Sequence, residues 1–75
     1  MFDYIRLSLK AAAIVYRTMQ EGERKHGRSG WKDLPAGEHF RHADKHLFMC
    51  LKGDTAEDHA GHAITRLVMY KEVGE

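Results

Sequence analysis

The sequence has little of several residue types, and each shortage removes a class of protein. Its 75 residues include one cysteine, Cys50, so no internal disulfide can form and the disulfide-stapled class of small secreted domains is excluded. Twelve basic residues face eleven acidic ones, a balance too even for binding nucleic acid by bulk charge. No apolar run approaches the length of about 18 residues that a membrane-spanning helix needs, and charged residues interrupt the N-terminal segment where a signal peptide would be apolar. The sequence therefore predicts a cytoplasmic protein with no membrane attachment.

A single proline, and glycines that fall mostly between periodic segments, favour an all-α fold. Apolar residues recur at steps of three and four over about residues 3–25, 35–52 and 54–73. The short Gly53-Asp54 connection predicts that the second and third helices form an antiparallel hairpin. The run Asp54-Thr55-Ala56-Glu57 is typical of a capping box, which places the start of the third helix there.

The size of the chain predicts assembly. A domain this short buries a small fraction of its surface, and the first helix is apolar over much of its circumference. We expect one domain over residues 1–75, with a long N-terminal helix packed beside the hairpin in an oligomeric bundle of identical subunits. Cys50, among Phe48, Met49 and Leu51, is expected to be a buried small apolar residue.

Six histidines are the unusual number in the composition. His39, His42 and His46 lie near one face of the second helix, and the hairpin would bring them towards Asp58, His59, His62 and Arg66 of the third. Three interpretations remain open: a divalent metal site, an anion site, or ordinary polar helix faces. Imidazole and carboxylate suit the first, with His42 or His46 beside Asp58 and His62. Lysine and arginine side chains suit the second, since guanidinium groups bind phosphate in a bidentate manner.

Several short motifs together resemble a known family. They are, in order, Glu23-Arg24-Lys25-His26-Gly27, Gly30-Trp31, Arg41-His42, Leu51-Lys52-Gly53-Asp54, Glu57-Asp58-His59 and His62-Ala63. Their order and spacing resemble the N-terminal domains of phage dATP/dGTP diphosphohydrolase-like proteins, a family similar to the MazG-like all-α NTP pyrophosphatases. The sequence departs from that pattern at His26, where the family usually has tyrosine, and at Gly30, where it often has asparagine.

The resemblance implies a helical oligomer that binds magnesium through carboxylates and cleaves nucleoside triphosphates to monophosphate and pyrophosphate. If the chain is such an enzyme, Glu21, Glu23, Asp58 and His62 would hold Mg²⁺ or Mn²⁺ and activate water. The paired acidic motif of the family is incomplete here, because Glu38 and Asp44 lie six residues apart on different faces. Magnesium prefers oxygen ligands in near-octahedral geometry, so a site poor in carboxylate suits phosphate binding better.

The leading hypothesis is therefore a single all-α nucleotide-binding domain that sequesters a nucleotide or a cyclic or ADP-ribose-type signal, as an anti-defence protein of phage would in the host cytoplasm. A metal-dependent pyrophosphohydrolase and a protein-binding inhibitor are the alternatives. An aromatic side chain would stack on the base, and basic side chains and histidines would hold phosphate. The expected ligand-binding residues are Tyr16, Lys25, Trp31, Arg41, His42, Lys45, His59, His62 and Arg66.

Overall fold

The fold is all-α, as predicted. The computed structural model describes residues 2–27 and 30–74, and no strand occurs in those two ranges. Helix α1 spans Phe2–His26, a 3-10 turn spans Gly30–Asp33, α2 spans Ala36–Leu51 and α3 spans His59–Gly74. None of these helices combines the length and the hydropathy that crossing a bilayer requires.

Glycines end the first two helices where the sequence predicted. Gly27 and Gly53 have φ angles of 82° and 85°, in the left-handed region that favours glycine just past a helix end. Helix α2 begins directly after Pro35, whose extended backbone holds the N-cap position. The predicted boundaries of α1 and α2 thus hold to within a residue or two.

The predicted start of α3 is wrong by several residues. The helix begins at His59, and the carboxylate of Asp58 accepts a hydrogen bond from the backbone N–H of Gly61 at 3.0 Å. A Cβ on Gly61 would lie 2.2 Å from the Asp58 carboxylate, so this cap exists because position 61 has no side chain. Asp54 and Glu57 do not form the capping box, because their carboxylates contact His59 and His62 instead.

Small residues bring α2 and α3 together as an antiparallel hairpin. His46 contacts His59 near the turn, and His39 contacts Arg66 farther from it. Ala43 and Ala63 are buried between the helices, which lets two histidine rings fit into the same interface. Helix α1 packs mainly against α3, with the half-buried face of its second half.

The large apolar side chains lie mostly outside this interface. Of the apolar residues at helical spacing on α2, Ala43 is buried. The larger ones are exposed: Phe40, Leu47, Phe48 and Leu51. The first half of α1 is exposed on all sides. Cys50 is exposed as well, so the expectation that it is buried is wrong. The hairpin therefore encloses histidine and alanine while it presents leucine and phenylalanine to its surroundings.

Candidate functional site

A cleft of about 420 Å³ opens where the second half of α1, the 3-10 turn and the hairpin meet. This volume is typical of small-molecule sites. Its lining is mixed: α1 supplies Glu21, Glu23 and Lys25, the 3-10 turn supplies Trp31, and the hairpin supplies His46, Glu57, His62, Thr65 and Arg66. Cationic, acidic and aromatic groups thus face one cavity from three elements.

His39 connects the 3-10 turn to both helices of the hairpin. Its side chain is 0% exposed, and its Nε2 lies 2.8 Å from the carbonyl oxygen of Trp31 while its Nδ1 lies 3.0 Å from Nη1 of Arg66. A carbonyl can only accept and a guanidinium can only donate, so Nε2 carries the hydrogen and Nδ1 offers a lone pair. This fixed tautomer positions the Trp31 backbone and the Arg66 head group at the same time.

Arg66 brings a positive charge into the cleft. Its side chain is half-buried, and burial lowers the pKa of the guanidinium, which nevertheless stays protonated. Among residues 2–27 and 30–74, two ion pairs join an arginine to a carboxylate and two further carboxylates contact histidines, and none of these four contacts involves Arg66. A partly desolvated cation with only a neutral imidazole as partner favours an anion in the adjoining space.

A second histidine cluster lies at the turn end of the hairpin. Nδ1 of His46 is 3.0 Å from Nδ1 of His59, and Nε2 of His59 is 2.5 Å from a carboxylate oxygen of Asp54. Nδ1 of His62 is 2.8 Å from a carboxylate oxygen of Glu57. Burial, together with the nearby His62, lowers the pKa of His46, an effect that Glu57 partly opposes. The cluster thus favours a neutral His46.

The structure places four of the expected ligand-binding residues in the cleft: Lys25, Trp31, His62 and Arg66. The other five are not among its lining residues. The side chain of Arg41 is 77% exposed and pairs with Glu38 at 3.2 Å. Tyr16 is 66% exposed, and its hydroxyl accepts a hydrogen bond from Gln20.

Three more expected ligands lie near the cleft without lining it. Lys45 and His42 are exposed on α2, and partial burial and the charge of Arg66 lower the pKa of His42. His59 is buried behind His46.

Three of the four residues expected to hold magnesium, Glu21, Glu23 and His62, line the cleft. Glu21 and Glu23 are two positions apart on α1, so their side chains leave the helix about 200° from each other and flank the packed face on opposite sides. The carboxylate of Asp58 caps α3. Within the described ranges, the ligand atoms that come within 4.8 Å of one another belong to His46, Glu57 and His59. The expected magnesium ligands within the described ranges thus face one cavity without closing into a single cluster of ligand atoms.

Sequence reasoning missed two residues of this site. His39 was noted on the face of α2 but not given a role, and no pattern shows that it bonds to Trp31 and Arg66. Glu57 was assigned to a capping box, although it lies two residues before a helix that begins with His59 and carries its partner His62. Both errors arise because a short sequence window shows spacing but not which helix face is covered.

Comparison with known proteins gives one match. The family model described as "dATP/dGTP diphosphohydrolase, N-terminal" matches residues 1–74. No curated protein and no solved structure matches the chain. Because the match covers nearly every residue, the chain belongs to the dATP/dGTP diphosphohydrolase N-terminal family.

Proposed function

We propose that this domain binds a nucleotide, or a nucleotide-derived signal, in the cleft between α1 and the hairpin and retains it without cleavage. The observation that carries the proposal is the half-buried guanidinium of Arg66, which faces the cleft without a carboxylate partner in the described ranges. Lys25 adds a second cation at the same cavity. Two cations at one cavity suit direct contact with a phosphate chain, whereas the three carboxylates of the same lining, Glu21, Glu23 and Glu57, would meet phosphate only through a bound cation.

Trp31 supports a nucleoside as the remainder of the ligand. Its half-buried indole lines the cleft, and its backbone carbonyl is fixed by His39. A planar ring held in this way offers a surface on which a base can stack, an interaction worth about 1–3 kcal/mol per base. The family description names dATP and dGTP, so purine deoxynucleotides are the first ligands to test.

Retention rather than hydrolysis is supported by the arrangement of carboxylates. Cleavage of a phosphoanhydride requires a cation beside the phosphate oxygens to neutralise their negative charge as the bond breaks, and enzymes commonly use magnesium for this. Asp58 is a helix cap and Glu57 contacts His62. The carboxylates at the cavity that remain for magnesium are those of Glu21 and Glu23, which leave α1 about 200° apart.

The test uses a panel of dATP, dGTP, ATP, a cyclic dinucleotide and ADP-ribose, each with and without Mg²⁺ or Mn²⁺. We expect saturable quenching of the Trp31 fluorescence by at least one compound, and recovery of that compound unchanged after heat denaturation of the protein. A nucleoside monophosphate and pyrophosphate among the products would establish hydrolysis instead. Absence of quenching and of a thermal shift with every compound would refute nucleotide binding and favour the protein-binding inhibitor.

A matched pair of substitutions tests the location. Lys25→Gln removes a cation that lines the cleft, and Lys45→Gln removes an exposed cation on α2 that does not. Loss of one phosphate contact should weaken binding about 10- to 150-fold, because a charge-assisted hydrogen bond contributes about 1.5–3 kcal/mol. If Lys45→Gln weakens binding as much as Lys25→Gln, the ligand lies elsewhere.

We further propose that copies of the chain assemble through the first half of α1. The chain exposes 6151 Å², whereas a folded monomer of 8.6 kDa is expected to expose about 4,700 Å². The difference exceeds the roughly 800 Å² that each partner buries in a standard interface. Exposed apolar side chains concentrate on this segment: Phe2, Tyr4, Ile5, Leu7 and Leu9.

Light scattering after size exclusion tests the assembly. The wild type should have a mass of at least twice 8.6 kDa, and Ile5→Lys combined with Leu9→Lys should give monomers, since the two residues share one helix face. Leu51→Lys, which changes an exposed leucine of α2, is the control. A monomeric wild type would contradict the proposal, and so would dissociation by Leu51→Lys alone.

A further inference from the structure

The histidine cluster at the turn of the hairpin has the chemistry of a transition-metal site. His46 lies on α2, His59 is the first residue of α3, and Glu57 lies in the segment between the two helices. The antiparallel turn brings one ligand atom from each within 4.8 Å of the others. Two imidazole nitrogens and one carboxylate oxygen form the set found in many zinc sites that keep an open coordination position.

Asp54 prepares His59 for this role. The carboxylate of Asp54 contacts Nε2 of His59, so that nitrogen carries the hydrogen and Nδ1 is left with a free lone pair. That lone pair is directed at Nδ1 of His46, 3.0 Å away. A carboxylate on the far nitrogen of a histidine is the arrangement that orients metal-bound histidines and raises their basicity.

The distance between the two Nδ1 atoms is close to the distance between two ligands of a tetrahedrally coordinated ion. Zinc–nitrogen bonds of about 2.0–2.1 Å place two tetrahedral ligands about 3.3 Å apart. The observed 3.0 Å between the Nδ1 atoms needs only a small opening of the pair, and the hydrogen now shared between them would move to Nε2 of His46, whose ring stays neutral. Glu57 has two carboxylate oxygens, so its contact with His62 leaves one oxygen for an ion.

The remaining coordination position would face the cleft. His46 and Glu57 line that cleft, whereas His59 is buried and is not among the lining residues. An ion held by these three side chains would therefore expose its open side to the cavity, where water or an anion can reach it. Nitrogen-rich ligand sets favour Zn²⁺, Co²⁺ and Ni²⁺ over Mg²⁺ and Ca²⁺, which prefer oxygen.

We propose that His46, His59 and Glu57 bind one zinc-class divalent ion, with Asp54 as the positioning residue behind His59. The proposal goes beyond nucleotide binding, because it concerns the metal alone and needs no nucleotide. Six histidines in a short chain can also bind metal non-specifically, and the variants below separate the two cases.

The experiment is a titration of chelator-treated, reduced full chain with Co²⁺ and then Zn²⁺, with no nucleotide present. We expect one ion per chain, the intense visible absorption of four-coordinate cobalt, displacement of cobalt by zinc, and no competition from a large excess of Mg²⁺. Weak uptake of several ions, without the four-coordinate absorption band, would overturn the proposal.

Matched variants locate the ion. His46→Gln should abolish the cobalt absorption, whereas His42→Gln, one helical turn away on the exposed side of α2, should leave it unchanged. Asp54→Asn should weaken zinc binding about 10- to 100-fold while the absorption band keeps its shape, because the ligands stay but their orientation loosens. Glu57→Gln changes an exposed residue and serves where His46→Gln fails to fold. Wild-type affinity in His46→Gln or in Glu57→Gln would refute the site.

Discussion

Replacement of His39 by leucine is the most direct test of how the cleft is held together. Leucine has nearly the same volume and leaves two polar groups without their partner, the carbonyl of Trp31 and the guanidinium of Arg66. A neutral hydrogen bond contributes about 1 kcal/mol, and a bond to a charged group about 1.5–3 kcal/mol. Added apolar burial offsets part of this loss, so we expect a net destabilisation of about 2–3 kcal/mol.

The measurement is urea unfolding followed by circular dichroism at one fixed protein concentration. A domain of 75 residues has a total stability of about 4–11 kcal/mol, so the expected loss is a large part of it. With an unfolding entropy of about 2.1 cal/mol/K per residue, the same loss lowers Tm by about 13–19 °C. The control is His42→Leu, an identical change at an exposed position of the same helix, which should alter stability by less than about 0.5 kcal/mol. If the two variants are equally stable, the hydrogen bonds of His39 do not hold the cleft together.

Two further predictions concern the helix cap and the exposed face of α2. Gly61→Ala should lower the free energy of unfolding by about 1 kcal/mol, because the added Cβ displaces the Asp58 cap. The control Gly37→Ala, where nothing lies within 4 Å of the added Cβ, should stabilise α2 slightly. Equal effects of the two substitutions in urea unfolding would contradict this prediction. The pKa of His42 should lie below 6.5, because partial burial and then the charge of Arg66 disfavour the imidazolium, and Arg66→Gln should raise it in an NMR titration. Because folding depresses the pKa of His42, the stability linked to its neutral form is fully present above about pH 6.5 and is lost as the pH falls through the folded-state pKa. A measured His42 pKa at or above 6.5 would refute this prediction.

The sequence predicts where the helices lie, but it does not predict which face of each helix is buried. Apolar periodicity and the glycines at 27 and 53 locate the helices and the hairpin, because both signals act over a few residues. Hydropathy alone would bury Phe40 rather than His39. The close approach of Ala43 and Ala63 decides otherwise, since only small residues at the contact let the helices enclose a histidine.

The rotation of each helix also explains which of the expected ligand-binding residues line the cleft. Arg41 follows the buried His39 by two residues, so it points about 200° away from the interface and into solvent. Lys25 and Trp31, by contrast, lie on the two elements that cover the hairpin. Residue type indicates which side chains could bind a ligand, whereas the helix rotation that brings some of them to the cleft depends on contacts between distant parts of the chain.

The exposed thiol of Cys50 has a practical consequence for measurements of molecular mass and of subunit exchange. It is the chain's one sulfhydryl group, so a maleimide dye attaches to each polypeptide once, at a known point on α2. Two polypeptides can also be joined by air oxidation through this atom, which yields a covalent pair that resembles a native dimer by size. Samples kept with and without a reducing agent should therefore be compared, and dyes of two colours would then report how quickly polypeptides exchange between particles.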